Sequence, residues 1–271
     1  MSDSPDLAAV TQAQQQIWSK GDFAMVAGIV YNASENLAEA LELIPGERVL
    51  DVACGSGNGA ISAARRTWGG TVGADYVPSL LERGRERAAA ERLEVEFVEA
   101  DAQDLPFEDG EFDVAMSIFG AMFAPDQAKA ASELLRVVKP GGRIGMGNWS
   151  PEGAVGKMFK TISKHAPPPP GVDSPLLWGT EERLRELFGS GISDLRVERR
   201  ISRQPFRSAD HYIEFFRTYF GPTQTAYERV GSEGEQALTD DLRAFLEAEN
   251  TAGDRALVLE AEYLEVIATR A

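Results

Sequence analysis

From Arg48 to Trp149 short apolar runs alternate with amphipathic stretches. VLDVA at 49–53, TVGAD at 71–75, VEFVEA at 95–100, FDVAMS at 112–117 and RIGMGNW at 143–149 read as strands. Between them 58–67, 79–90 and 127–138 read as helices. Such strands carry few polar interruptions, and helices that separate them must cross from one strand to the next, so the pattern predicts a parallel sheet covered on both faces. The stretch 127–138 shows the logic at one helix: Ala131, Leu134, Leu135 and Val138 form one apolar stripe, and Pro140-Gly141-Gly142 stops it before a new strand.

The flanks differ in texture. Residues 7–42 read as helical, with Leu37, Ala40, Leu41 and Ile44 at helical spacing and Pro45-Gly46 as a stop. Beyond Trp149 a helix is followed by a semi-rigid proline run at 167–170, and Thr180 caps a short helix, EERLRELF. Residues 192–206 alternate as a strand, and 208–250 read as helical with breaks at Gly221-Pro222 and around Gly231 to Gly234. The last segment, RALVLEAEYLEVIAT, suits a helix by composition, yet its apolar and polar positions alternate and it is read as a strand. The expected organisation is a helical cap over 1–45, a core over 46–205 with 252–271, and a helical lid insertion over 206–251. The fold class expected is α/β and Rossmann-like: a mostly parallel seven-stranded sheet with an antiparallel last strand and helices on both faces.

Composition narrows the partners. Lys and Arg number 27 against 43 Asp and Glu, a formal charge of −16, which argues against attraction to nucleic acid or anionic lipid. The single cysteine, Cys54, rules out an intramolecular disulfide and a multi-cysteine metal site, and no metal is expected. MSDSPDLAAV lacks the basic and apolar regions of a signal peptide, and no run reaches the roughly 18 apolar residues of a membrane span. A cytoplasmic location follows as the expectation.

Three places carry chemistry. In VLDVACGSGN an apolar strand enters a glycine turn that opens a helix, where a ligand can approach the backbone closely. A plain strand-to-helix turn and a dinucleotide-binding loop both share that pattern. Asp75 ends the next strand, about 20 residues on, where a carboxylate can accept both hydroxyls of a ribose. In EADAQDLPF, Asp101 follows a third strand and can accept from an adenine amino group while the next N–H donates to the ring; an acidic surface turn would look the same.

All three occur in order, and across about 46–149 the chain resembles the class I S-adenosylmethionine-dependent methyltransferases of the ubiquinone/menaquinone biosynthesis type. VLDVACGSGN resembles that family's first motif, GADYVPSLLERGRERA its second, EADAQDLPFEDGEFDVAMS its third and fourth, and LLRVVKPGGRIGM its fifth. Ala53 stands where the family usually has glycine, while Gly55 and Gly57 remain. The resemblance implies S-adenosyl-L-methionine as cofactor, with Asp51 and the backbone of Ala53 and Gly55 at its methionine end and Asp75 at the ribose. It also implies Asp101 and Ala102 at the adenine and Ser117 beneath the sulfonium; Gly57, Asn58, Tyr76 and Gln103 complete the expected cofactor set. Trp18 and Tyr31 of the cap are placed to close over the cofactor or to serve the core.

Methyl transfer from a positive sulfur needs alignment and a dry pocket more than a strong base. Phe119, Met122, Phe123, Trp149 and Trp178 cluster near strand ends and are the expected acceptor pocket, with His165 as the candidate base and His211 a lesser one. The expected partner is therefore a small, partly apolar methyl acceptor. Two other functions share the cofactor motifs. One is a nicotinamide-dependent oxidoreductase, for which Asp51 beside the turn suits a pyrophosphate poorly. The other is a cofactor-binding sensor or assembly subunit without catalysis.

Overall fold

The computed structural model describes residues 5–271, so the first four residues of the expected 1–45 cap lie outside them. Three helices open the chain: α1 (Leu7–Trp18), α2 (Phe23–Ile29) and α3 (Tyr31–Ala40). The pattern alone suggested one helical stretch here. The break after α1 is tertiary in origin, because Gly21 pairs with Phe220 in an isolated β-bridge and Asp22 then caps α2 by accepting from Ala24 N–H.

The alternating core then unfolds as β1 (Val49–Val52), α4 (Asn58–Thr67), β2 (Thr71–Asp75), α5 (Pro78–Ala90), β3 (Val95–Glu99), β4 (Phe112–Ile118), α6 (Gln127–Val137) and β5 (Val138–Trp149). It continues through α7 (Ala154–His165), α8 (Glu181–Phe188), β6 (Ile192–Phe206), α9 (Ala209–Tyr219), α10 (Gly221–Ala248) and β7 (Leu257–Arg270). The seven strands form one sheet in the order β3-β2-β1-β4-β5-β7-β6. Only β7 runs against its neighbours, pairing antiparallel with β5 and β6. Every residue of β1 and β2 is buried, which is why these strands read as unbroken apolar runs. Strand order reverses between β1 and β4, opening a crevice at their carboxyl ends where ligands bind in open α/β sheets.

The ambiguous last segment is a strand because both of its edges find partners. Its Ile267 also packs with Leu37 of α3 and Leu41 just after it against Val114 and Met116. The break expected near Gly231 is a kink inside α10, where Gly231 takes φ 62°, and Gly221-Pro222 opens that helix. Because β6 points the same way as β1, β4 and β5, the 206–251 segment leaves the sheet at the carboxyl edge. There α9 meets α2, and α10 meets α1 and α7. No helix among the described residues is long and apolar enough to cross a membrane.

Candidate active site

Two adjoining chambers occupy the crevice at the carboxyl ends of β1, β2 and β4. The larger holds about 600 Å³ of empty space and reaches from Asp75, Tyr76 and Asp101 to the aromatic residues Trp18, Phe119 and Phe123. The smaller, about 410 Å³, is lined by Asp51, Asn58 and Ser34. Ala53, Gly55, Phe23 and Phe119 border both.

The turn after β1 makes this possible. Ala53 takes φ 53°, Gly55 φ 54° and Gly57 φ 83°, so three residues of the loop sit in the left-handed region. Phe119, at φ 53°, does the same after β4. At Gly120 an added Cβ would lie 2.4 Å from the Ala53 carbonyl oxygen, so the two loops touch backbone to backbone.

Asp51 is 1 % exposed and accepts the Ala60 N–H through Oδ2 at 2.7 Å, which ties it to the first turn of α4. Burial, reinforced by the nearby Asp75, pushes its carboxyl up to about 8 despite that hydrogen bond. Asp75 accepts from Gly55 N–H at 2.8 Å and Val77 N–H at 2.9 Å, and burial pushes it up to about 6. Each of its oxygens has a lone pair left for a hydroxyl donor. Beside Asp51 two further groups are buried without a partner: Ser34 Oγ and Asn58 Oδ1. The Asn58 amide is oriented by its other end, since Nδ2 donates to Ala27 O at 2.8 Å and leaves the oxygen as acceptor. Burial, with Asp51 and Asp75 adding to it, holds the Cys54 thiol well above its ordinary range, so it stays protonated.

Among the described residues, the lining of the two chambers contains no Lys, Arg or His. Buried carboxylates and orphaned acceptors without a cation fit a ligand that brings its own positive charge and hydroxyl donors. They fit a pyrophosphate badly. The opposite wall is aromatic: Trp18 stands edge-on to Phe23 at 5.6 Å, Phe123 at 5.1 Å and Phe220 at 5.6 Å. Phe119 stacks on Trp149 with centroids 3.7 Å apart. Helices from the cap, from α7 through Phe159 and from the 206–251 insertion thus converge on one wall.

Comparison with known proteins bears on this arrangement. The methyltransferase domain family matches residues 49–142. The crystal structure of the YcgJ protein from Bacillus subtilis superposes with TM-score 0.62 at 17% identity, over 88% of this chain and 98% of that one. An uncharacterized protein of Mycobacterium tuberculosis is 38% identical over 97% of this chain and 95% of its own length. A demethylmenaquinone methyltransferase of Thermus thermophilus is 42% identical over 48% of this chain and 60% of its own. The chain belongs to the class I S-adenosylmethionine-dependent methyltransferases.

Within this methyltransferase the expected site residues divide into those brought together and those placed elsewhere. Asp51, Ala53, Gly55, Asn58, Asp75, Tyr76, Asp101, Ala102 and Gln103 all border the chambers, as do Phe119 and Phe123. Gly57 does not; it opens α4 with its α-carbon facing the Phe97 ring. Ser117 is also off the cavity, because its hydroxyl is spent inside the protein: Oγ donates to Val52 O at 2.7 Å and accepts from Ala121 N–H at 2.9 Å. Its work is to hold the 119–123 turn against β1.

Four expected pocket residues lie outside the lining of the two chambers. Met122 is 1 % exposed and belongs to the core, and Trp149 lies one layer behind the wall, under Phe119. Trp178 is fully buried against Phe188, because the turn that carries it packs beneath β5. His165, the candidate base, ends α7 and bonds Asp241 of α10 at 2.9 Å, outside both chambers. His211 stays on the exposed first turn of α9 and accepts from Arg207 N–H. Of the two cap aromatics, Trp18 enters the wall, whereas Tyr31 donates to Glu35 at 2.9 Å on α3. The pattern missed Thr11, Gln14, Phe23 and Ser34, since nothing local distinguishes these residues from the rest of an amphipathic helix.

Proposed function

We propose that this methyltransferase carries the methyl group of S-adenosyl-L-methionine to a small, partly apolar organic acceptor by in-line displacement. The observation that supports this best is the continuity of an acceptor-rich polar cradle with an aromatic wall across Ala53, Gly55 and Phe119. When bound, the cofactor supplies a methyl carbon on a positively charged sulfur. Asp51, Asn58 Oδ1 and Ser34 Oγ are the groups that receive the methionine ammonium, and Asp75 takes the ribose hydroxyls. Asp101 and the Ala102 N–H serve the adenine edge, with Tyr76 and Leu80 alongside. Trp18, Phe23, Phe119 and Phe123 receive a flat apolar acceptor and exclude water from the reacting centre. The Thermus relative, a demethylmenaquinone methyltransferase, is in keeping with a ring-containing acceptor. Among the described residues no ionisable side chain stands on that aromatic wall, so the enzyme works by alignment and the acceptor brings its own nucleophilicity.

The test has two arms. Calorimetric titration should show binding of S-adenosylmethionine and S-adenosylhomocysteine but not NADH, and a labelled-methyl screen over quinols, phenols, amines and sterols should find transfer to an apolar ring. Binding without any transfer would favour a sensor or assembly subunit instead. In the same titration, Asp75→Ala should weaken S-adenosylhomocysteine by about 1.5–3 kcal/mol, the worth of hydrogen bonds to a charged acceptor. Unchanged affinity in that variant would remove Asp75 from the ribose site.

A further inference from the structure

Gln103 stands where three parts of the site meet. Its Nε2 lies 3.0 Å from each carboxylate oxygen of Asp101 and 3.1 Å from Thr11 Oγ1 on α1. Its Oε1 accepts the Asp126 N–H at 2.8 Å. Thr11 gives its own hydroxyl proton to Leu7 O, at 3.0 Å, which leaves its oxygen free to accept from Gln103. Asp126 caps α6 and directly follows Pro125, the last residue of the larger chamber's lining. One carboxamide therefore joins the acid expected at the adenine, the helix that covers the cavity and the turn that carries the acceptor wall.

The helix it holds packs on the rest of the protein through Trp18 at its carboxyl end and against α10. No residue of α1 is fully buried. Among the described residues, only two side-chain hydrogen bonds tie α1 to the sheet domain: the one from Gln103 to Thr11, and one from Gln15 Nε2 to Tyr76 O at 2.5 Å. Thr11, Gln14 and Trp18 nevertheless all face the larger chamber. A helix that lines a cavity, has no fully buried residue and packs on the core through Trp18 at its carboxyl end depends on its hydrogen bonds to hold the rest of its length in place.

We propose that Gln103 is a positioning residue, a latch that orients Asp101 and holds α1 closed over the adenosine end of the cavity, so that it governs how long the cofactor stays. The proposal rests on the reading that this cavity takes S-adenosylmethionine. Its chemistry requires a carboxamide: the amide nitrogen donates to both Asp101 and Thr11 while the oxygen receives the Asp126 N–H. Glutamate cannot replace it, since it would place a second negative charge on Asp101 and lose the donor.

The experiment is a double-mutant cycle with Thr11→Val and Gln103→Ala, read by hydrogen exchange of α1 amides and by the dissociation rate of S-adenosylhomocysteine in stopped flow. Thr11→Val keeps shape and leaves the Asp101–Gln103 contact intact. Thr11→Val should speed both readouts by about 3–10-fold, the worth of one lost hydrogen bond, Gln103→Ala by at least as much because it also loses the bonds to Asp101 and Asp126, and the double variant should be no faster than Gln103→Ala alone. Exchange in β1 and α4, and the thermal midpoint, should stay at wild-type values. Thr11→Val matching wild type in both readouts would overturn the latch, as would effects that multiply in the double variant. Should wild type fail to bind S-adenosylhomocysteine, the cofactor reading fails, while exchange of α1 in the ligand-free variants still decides the latch.

Discussion

Asp51→Asn should make the ligand-free protein more stable at pH 9 and at the same time nearly abolish its affinity for S-adenosylmethionine. The wild-type carboxyl is fully buried, with one backbone N–H as its hydrogen-bond partner, and is pushed up to about 8; Asp75, pushed up to about 6, adds like charge. For an acid whose folded value lies above its unfolded one, the folded state binds more protons, so stability falls as pH rises. The loss begins near the ordinary carboxylate value of 3.8, accumulates through neutral pH and levels off above about 8. Each unit of upward shift corresponds to about 1.4 kcal/mol, so the accumulated cost is on the order of a few kcal/mol. Asparagine keeps an acceptor for Ala60 N–H and carries no charge, so the variant should show little of this decline. The same charge is what a cationic ligand needs. Binding of S-adenosylmethionine should therefore strengthen between pH 6 and 8 in wild type with release of protons, and Asp51→Asn should lose about 100-fold or more in affinity. Denaturant melts from pH 4 to 9 and calorimetry in buffers of different ionisation enthalpy measure both. A variant less stable than wild type at pH 9 would mean that the carboxylate is already compensated inside the protein.

Replacing Phe119 should cost the fold and the site together. The ring is 8 % exposed, stacks on Trp149 at 3.7 Å, meets Tyr263 edge-on at 5.4 Å and borders both chambers. Phe119→Ala should destabilise by about 3–5 kcal/mol, the usual range for emptying a buried aromatic site. The backbone adds a sharper prediction. Phe119 holds φ 53° while its N–H donates to Gly147 O at 2.8 Å, a conformation that costs a residue with a Cβ roughly 1 kcal/mol. Glycine escapes that strain, so Phe119→Gly should be at least as stable as Phe119→Ala although it is one carbon smaller. Chemical denaturation of the two variants side by side tests the ordering; glycine falling clearly below alanine would show that the strain carries no weight. Both variants should lose methyl transfer to any acceptor that the wild type accepts, because the wall shared by cradle and acceptor chamber is gone.

How far the sequence reached depends on which interactions place a residue. The strands β1 to β5 and their crossover helices follow from apolar runs and helical stripes, because each element announces its buried face within a dozen residues. That Asp51, Gly55 and Asp75 border one crevice was legible for the same reason: they sit at fixed offsets from strand ends, and parallel pairing of β1 with β2 and β4 sets those ends side by side. Even β7, ambiguous by composition, showed its alternation.

Tertiary structure decided what closes the site. Trp18, Phe123 and Phe220 come from positions far apart in the chain, and no local period says that they share one wall. Ser34 looks like any small residue on α3 until the packing of α3 against α4 leaves its hydroxyl unpartnered beside Asp51. The reverse holds for His165, Trp178 and Ser117, whose residue types suggested chemistry but whose partners Asp241, Phe188 and Val52 absorb them into structure. Spacing along the chain fixes backbone geometry over a turn or a strand; whether a polar group faces a cavity or a partner is settled only when distant elements compete for it.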